Sequence, residues 1–208
     1  MQQPHLWLLP LERHPADALL VSEHEQACSL RLPQAQRQRY LLSRGWLRRQ
    51  LAMLWKLPAL AVPLHSPPGE PPLLADGFGF VSLSHSREQL LLAWSPWPIG
   101  VDLEWQARQI QAEGLASRFF PPQEWQRLQS LDPAERMEMV LESWVRKEAA
   151  IKWQRSSLAT DLRHWCWNAE RSQLRHLEQG WQPACICERQ NGWLCGVVGQ
   201  GVDQGIWG

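Results

Sequence analysis

The sequence has no surplus of charge of either sign: 21 Lys plus Arg balance 21 Asp plus Glu across 208 residues. That balance speaks against a general polyanion binder and against a strongly acidic protein. It also lacks an apolar run of transmembrane length and a charged-then-apolar leader, so the expected compartment is the cytoplasm, with no membrane and no nucleic acid among the partners. Cysteine is sparse. Cys28, Cys166, Cys185, Cys187 and Cys195 form an odd set without zinc-ribbon spacing. Neighbours on one strand, such as Cys185 and Cys187, are poorly placed for a disulfide, so reduced packing thiols are expected. Tyrosine occurs once against 14 Trp. The tryptophans are scattered, which suits core and hydrophobic surface better than a base-stacking platform. The length allows one compact domain or two small ones sharing an interface.

One local absence is informative. From Arg31 through Gly69 there is no Asp or Glu, but there are seven Lys or Arg residues. Residues 35–56 carry Leu41, Leu42, Leu47, Leu51 and Leu54 near the helical period, which predicts a helix. Arg37, Arg44 and Arg48 share one face of it by spacing. Such a run is either a solvated helix face or a local positive field for an anionic partner.

The rest of the chain alternates between helical and strand-like segments. Residues 63–77, rich in Pro and Gly, read as a loop. "FGFVSLSH" at 78–85 and "QLLLAWS" at 89–95 read as strands, with "SHSRE" as a hairpin turn between them. "SPWP" at 95–98 breaks the chain and is the expected boundary between two halves, 1–98 and 99–208. Pro121-Pro122 precede a helical start near Gln123, and Asp132-Pro133 predicts a helix running to about Gln154. Beyond it lie short strand-like segments, with Asn191-Gly192 as a two-residue hairpin signal. No internal repeat is visible in the residues.

Two segments carry the chemistry. In "IGVDLE" at 99–104, Asp102 and Glu104 would sit side by side on one strand face, where like charges repel unless a cation or a proton lies between them. In "SWVRKEAAIKW" at 143–153, Glu148 and Lys152 are spaced i and i+4 on one helical face. Taken separately, the first is compatible with exposed strand carboxylates and the second with a surface ion pair. If Glu148 faces the strand, three carboxylates converge. An all-oxygen set favours Mg²⁺, which commonly bridges substrate phosphates, and Lys152 would suit a phosphate oxygen.

These segments resemble the two signature motifs of the 4′-phosphopantetheinyl transferases of the Sfp type, Gly-Val/Ile-Asp-Ile/Leu-Glu and Trp-x-x-Lys-Glu-x-x-x-Lys. Gly100 and Ser143 lie 43 residues apart, as the family pattern requires. "VSLSHSR" at 81–87 resembles the family's Ser-His segment, "RFFPPQEW" at 118–125 its Arg-Phe-Phe…Glu segment, and "RYLLSRGWLRR" at 39–49 its N-terminal basic helix. The resemblance spans residues 31 to 155 in the family's order.

The resemblance implies an α/β (α+β) fold of two similar, pseudo-symmetric halves, each a helix packed on a mainly antiparallel sheet. It implies a Mg²⁺-dependent monomeric enzyme that moves the phosphopantetheine arm of coenzyme A to a serine of an acidic apo-carrier protein. Asp102, Glu104 and Glu148 would hold the metal. Lys152 would contact the pyrophosphate, Ser84 and His85 the 3′-phosphate end, and Arg39, with Arg44 and Arg48, further phosphates. Glu148 would also help deprotonate the serine. A His between serines is otherwise an ordinary turn residue, and His85 takes its expected role from this context. One departure stands out: Gly69-Glu70-Pro71 places a carboxylate where the family has a basic residue. A non-catalytic relative that binds coenzyme A or a carrier protein is the alternative. Another Mg²⁺ phosphoryl-transfer enzyme would explain the carboxylates but not the Ser-His segment.

Overall fold

In the computed structural model, which describes residues 3–11, 20–156 and 161–208, the chain runs through one series of elements twice. The first pass is strand β1 (His5–Pro10), helices α1 (Glu23–Ser29) and α2 (Gln34–Trp55), a short pair β2 (Leu64–His65) and β3 (Leu73–Leu74), then the hairpin β4 (Phe80–Ser86) and β5 (Gln89–Ser95). The second pass is β6 (Ile99–Trp105), helices α3 (Ala112–Phe119), α4 (Pro122–Gln129) and α5 (Pro133–Gln154), the pair β7 (Trp165–Asn168) and β8 (Gln173–His176), and the hairpin β9 (Cys185–Gln190) and β10 (Trp193–Gly199). A last strand, β11 (Ile206–Trp207), returns to the first sheet and pairs in parallel with β1. The sheet orders are β11-β1-β5-β4 and β6-β10-β9, and the other neighbours in both are antiparallel.

The repeat extends to side chains. Helices α2 and α5 both have 22 residues, and every position of one lies 99 residues before its counterpart in the other. Each ends on a cation in the left-handed region, Lys56 at φ 56° and Arg155 at φ 58°. Arg37 donates to the carbonyls of Leu30 and Leu32, and Arg136 donates to those of Gln129 and Leu131 at the matching places. Arg48 pairs with Glu25 at 2.8 Å, and Lys147 pairs with Glu124 at 2.8 Å. Both pairs are buried.

Hydrophobic alternation decides which faces meet. Trp7, Leu9, Leu90, Leu92 and Trp94 pack against Leu47 and Leu51 of α2. The opposite face of that sheet, with Leu6, Leu91 and Ala93, shares a core with Val101, Leu103, Cys195 and Val197 of the second sheet. β5 is therefore apolar on both faces. The even-numbered face of the second sheet is left for α5. A Cβ at Gly100 would collide with the backbone of Ala149 and Trp153, and one at Gly196 would collide with Val145. These two glycines let α5 lie directly on the sheet.

The hairpin at Asn191-Gly192 forms as expected, with positive φ at both residues. Asp132 caps α5 by accepting from Ala134 and Glu135 amides. Other expectations shift. The Pro/Gly stretch 63–77 contains the β2–β3 pair. β4 continues to Ser86, so the turn is only Arg87-Glu88 and both Ser84 and His85 lie on a strand. Helices α1 and α3 were not expected. Ser22 and Glu25 form a reciprocal capping box that starts α1. All five cysteines are free thiols.

Candidate active site

β4 and β6 run side by side in the same direction, and three serines of β4 reach across. Ser82 Oγ accepts from the Val101 amide at 3.1 Å, Ser84 Oγ donates to Asp102 Oδ1 at 2.7 Å, and Ser86 Oγ donates to Glu104 Oε2 at 3.2 Å. The Ser-His segment of one half is thereby stitched to the "VDLE" segment of the other.

α5 approaches the same spot from above. Its seat at Gly100 places Lys152 Nζ 2.7 Å from Asp102 Oδ1. Lys152 therefore pairs with the strand carboxylate rather than with Glu148 one turn earlier. Asp102 is 3% exposed, and its second oxygen, Oδ2, is buried with no hydrogen-bond partner among the described residues. A buried carboxylate oxygen left without a donor is costly; either a proton held by neighbouring Glu148, which hydrogen-bonds to Asp102, or a cation would satisfy it. Glu104 has both oxygens engaged, Oε2 by Ser86 and Oε1 by Arg108. Glu148 is half-buried beside Asp102. Burial, then the negative charge of Asp102, push its carboxyl up to about 8, with Lys152 pulling the other way. Burial likewise raises Glu104 above the usual carboxylate range, against the pull of Arg108. Asp102 and Glu104 both act on Glu148, so the three carboxylates share one neighbourhood whose oxygens suit a hard divalent cation, although their ligating atoms do not all lie within 4.8 Å of one another.

Beside this cluster, a cavity of about 370 Å³ is walled by Arg39, Tyr40, Arg44, Gly69, Leu83 and His85. Arg44 is 6% exposed, stacks over Tyr40 and donates to the Ser66 carbonyl at 3.1 Å; Tyr40 donates to the same carbonyl. Arg39 is exposed at the rim. His85 is exposed too, yet the protein around it, with Arg39, Lys152 and Arg44 behind, holds its imidazole below the ordinary range. Glu70 is exposed and does not line this wall.

Arg48 lies elsewhere. Its guanidinium is buried against Glu25 and the carbonyls of Ala59 and Val62. The expected basic face is therefore divided. Arg37 caps carbonyls, Arg48 is internal, and only Arg39 and Arg44 border the cavity.

A second cavity of about 300 Å³ uses the counterpart positions of the other half. Leu131, Glu135, Met139 and Ser143 stand there in place of Leu32, Gln36, Tyr40 and Arg44. It has no counterpart of Arg44 or His85, its Arg127 is turned to the Trp167 carbonyl, and Glu124, Glu135 and Glu170 line it, so it is not built for an anion. Among the described residues, Asp161, His164 and His176 also bring potential metal-ligating atoms within 4.8 Å of one another. However, His176 Nδ1 accepts from the Gln179 amide at 3.1 Å, so neutral His176 keeps its proton on Nε2 and has no second lone pair to offer.

The ordered motifs now have a common location, and the chain has recognisable relatives. Residues 98–198 match the 4′-phosphopantetheinyl transferase superfamily. HetI of Nostoc sp., named a 4′-phosphopantetheinyl transferase, is 31% identical over 159 residues, covering 71% of this chain and 67% of its own. The chain belongs to the 4′-phosphopantetheinyl transferase superfamily. A second member, slr0495 of Synechocystis sp., whose name assigns it only provisionally to these transferases, is 35% identical over 159 residues, covering 73% of this chain and 65% of its own. The match thus spans just under two thirds of one relative's length and just over two thirds of the other's.

Within this superfamily member, sequence reasoning missed the supports of the site. Lys147 is fully buried, paired with Glu124 and set over the Phe120 ring at 3.4 Å. Glu124 also accepts from Ser143 Oγ and from the Trp167 amide. This knot fixes α5 one residue before Glu148. A signal was present: Glu25 and Arg48 stand 23 positions apart, as do Glu124 and Lys147.

Proposed function

We propose that the protein transfers the 4′-phosphopantetheine arm of coenzyme A to a serine of an apo-carrier protein, giving holo-carrier protein and adenosine 3′,5′-bisphosphate. The observation that carries this reading is the junction at Asp102. Ser84 from the first half and Lys152 from α5 converge on one of its oxygens while the other is left without a partner. In this reading the half spanning residues 1–98 holds the coenzyme and the half spanning 99–208 holds the metal, with the reaction in the cleft between them.

Asp102, Glu104 and Glu148 would hold Mg²⁺, which when bound neutralises charge on the pyrophosphate. Arg39, Arg44, Ser84 and His85 would take the 3′-phosphate end in the basic cavity, and Lys152 would follow charge onto the pyrophosphate. Arg48 is withdrawn from this set because its buried pair with Glu25 leaves it no reach. The serine oxygen attacks the phosphorus on the pantetheine side, and the bond to the nucleotide phosphate breaks. The serine proton passes to Glu148, directly or through a water, once Glu148 is ionised. Such transfers depend on positioning and charge neutralisation more than on covalent help. The reading further takes the protein as a cytoplasmic monomer meeting an acidic carrier. No helix among the described residues is long and apolar enough to cross a membrane.

The test is to incubate the protein with coenzyme A, Mg²⁺ and an apo-carrier protein, then weigh the carrier. The expected result is a carrier heavier by one phosphopantetheine, with loss of the reaction in chelator. Coenzyme A binding without any mass gain would replace this reading with that of a non-catalytic binding relative.

A further inference from the structure

The turn that leaves β6 places Arg108 four residues beyond Glu104, and its Nη1 donates to Glu104 Oε1. Ser86 holds the other oxygen of Glu104 at 3.2 Å. Glu104 is therefore fully engaged, unlike Asp102, whose Oδ2 stands free of partners. The two side chains holding Glu104 differ in kind. Ser86 is neutral and fixed on a strand. Arg108 carries charge, and its side chain is 49% exposed against 13% for that of Glu104. It can leave toward solvent without disturbing any core.

We propose that Arg108 is a displaceable counter-ion, which competes with the divalent cation for Glu104 and so weakens and tunes metal binding at the site. This rests on the metal reading given above. A guanidinium in contact with a carboxylate and a dication on the same carboxylate repel each other, so the two exclude one another at that oxygen. Lys152 is a different case, because its place beside Asp102 also suits the phosphates. Arg108 lies on the turn leaving the strand and, among the described residues, ion-pairs with Glu104 alone.

Arg87 supplies the control. It follows Ser86 in the chain and stacks 3.3 Å over the Trp105 ring, next to Glu104, but makes no ion pair with a described residue. Removing Arg87 subtracts the same charge from the neighbourhood without freeing a carboxylate oxygen.

The experiment titrates the full chain with Mn²⁺, following free metal by electron paramagnetic resonance, for the wild type, Arg108→Ala, Arg108→Gln, Arg87→Ala and Asp102→Asn. Circular dichroism confirms folding. The expected result is binding roughly twofold to fivefold tighter in both Arg108 variants, the scale of one partly exposed ion pair removed. Arg87→Ala should change it less than twofold. Equal tightening by Arg87→Ala would overturn the proposal in favour of a diffuse field, and unchanged or weaker binding in the Arg108 variants would overturn it outright. A wild type that binds no Mn²⁺, or binds it no better than Asp102→Asn, would instead overturn the metal reading itself, and the Arg108 proposal with it.

Discussion

The two halves of the molecule share a scaffold and differ in what they place on it. Strand register makes Trp7 the counterpart of Asp102 and Leu9 the counterpart of Glu104, while helix position makes Arg49 the counterpart of Glu148. In the first half these places close the core beneath α2, where Trp7 and Leu9 are buried. In the second half they hold carboxylates, and one oxygen of Asp102 is buried without a fixed donor. The same fold is complete with an apolar plug, so the charges of the second half are not there to build it. What the halves do share, a buried glutamate paired to a cation of the long helix, belongs to the scaffold.

The sharpest way to break this comparison is to remove the charges found in one half only. Asp102→Ala and Glu148→Gln should each lower transfer by more than about a hundredfold, since both would remove a metal ligand. Both should stay folded by circular dichroism, and metal-free Asp102→Ala should keep its thermal midpoint or gain in it, as mutual repulsion is relieved. Near-normal turnover in either would return these residues to the scaffold. Lys152→Ala should follow at about a hundredfold in kcat, the loss typical of one transition-state donor. A change confined to KM would place Lys152 on bound coenzyme alone.

The shared pairs should behave in the opposite way. Arg48→Ala and Lys147→Ala should each cost about 3–5 kcal/mol in denaturant unfolding, the penalty for leaving a buried partner uncompensated. The two should then diverge. Arg48→Ala should keep its specific activity per folded molecule, whereas Lys147→Ala, next to Glu148, should lose kcat as well. A loss of coenzyme A affinity in Arg48→Ala without loss of stability would restore that arginine to the phosphate site.

A smaller effect separates the halves by pH. Glu148 holds its proton to about 8, far above its unfolded value, so its contribution to stability is complete in acid and fades as pH rises through that range. The metal-free protein should therefore lose thermal midpoint between pH 5 and pH 8.5, and Glu148→Gln should flatten that slope. A slope equal in the two proteins would place the titration elsewhere. The smallest effect is at the rim. Arg39→Glu should raise the KM for coenzyme A severalfold, more at low salt, because exposed charges are screened beyond ~10 Å at 0.1 M. A salt-independent defect would argue against a charge contact.

Much of this was legible in the sequence, because alternation and helical period are local properties. "QLLLAWS", the 133–154 helix and the Asn191-Gly192 turn each specify themselves. The convergence of Asp102 with Lys152 was not legible without the family motifs, since it depends on Gly100 letting α5 sit on β6. The repeat escaped notice because counterpart residues differ in kind, Arg44 against Ser143 and Met53 against Lys152, while the backbone path is kept. Arg48 was misplaced for a related reason. Spacing puts it on a face with Arg44, but only the position of Glu25 in α1 decides that the face is internal.

The parallel pairing of β11 with β1 also has a consequence for the order of assembly. Strand β1 lies at the outer side of its sheet until Ile206 and Trp207 reach it, opposite His5 and Leu6. During synthesis the first half therefore has an unsealed edge for as long as the ribosome is making the second. A truncation that removes only the last few residues would leave the Asp102 cluster untouched. It would also leave that edge open for good, and its cost should show first as aggregation during expression.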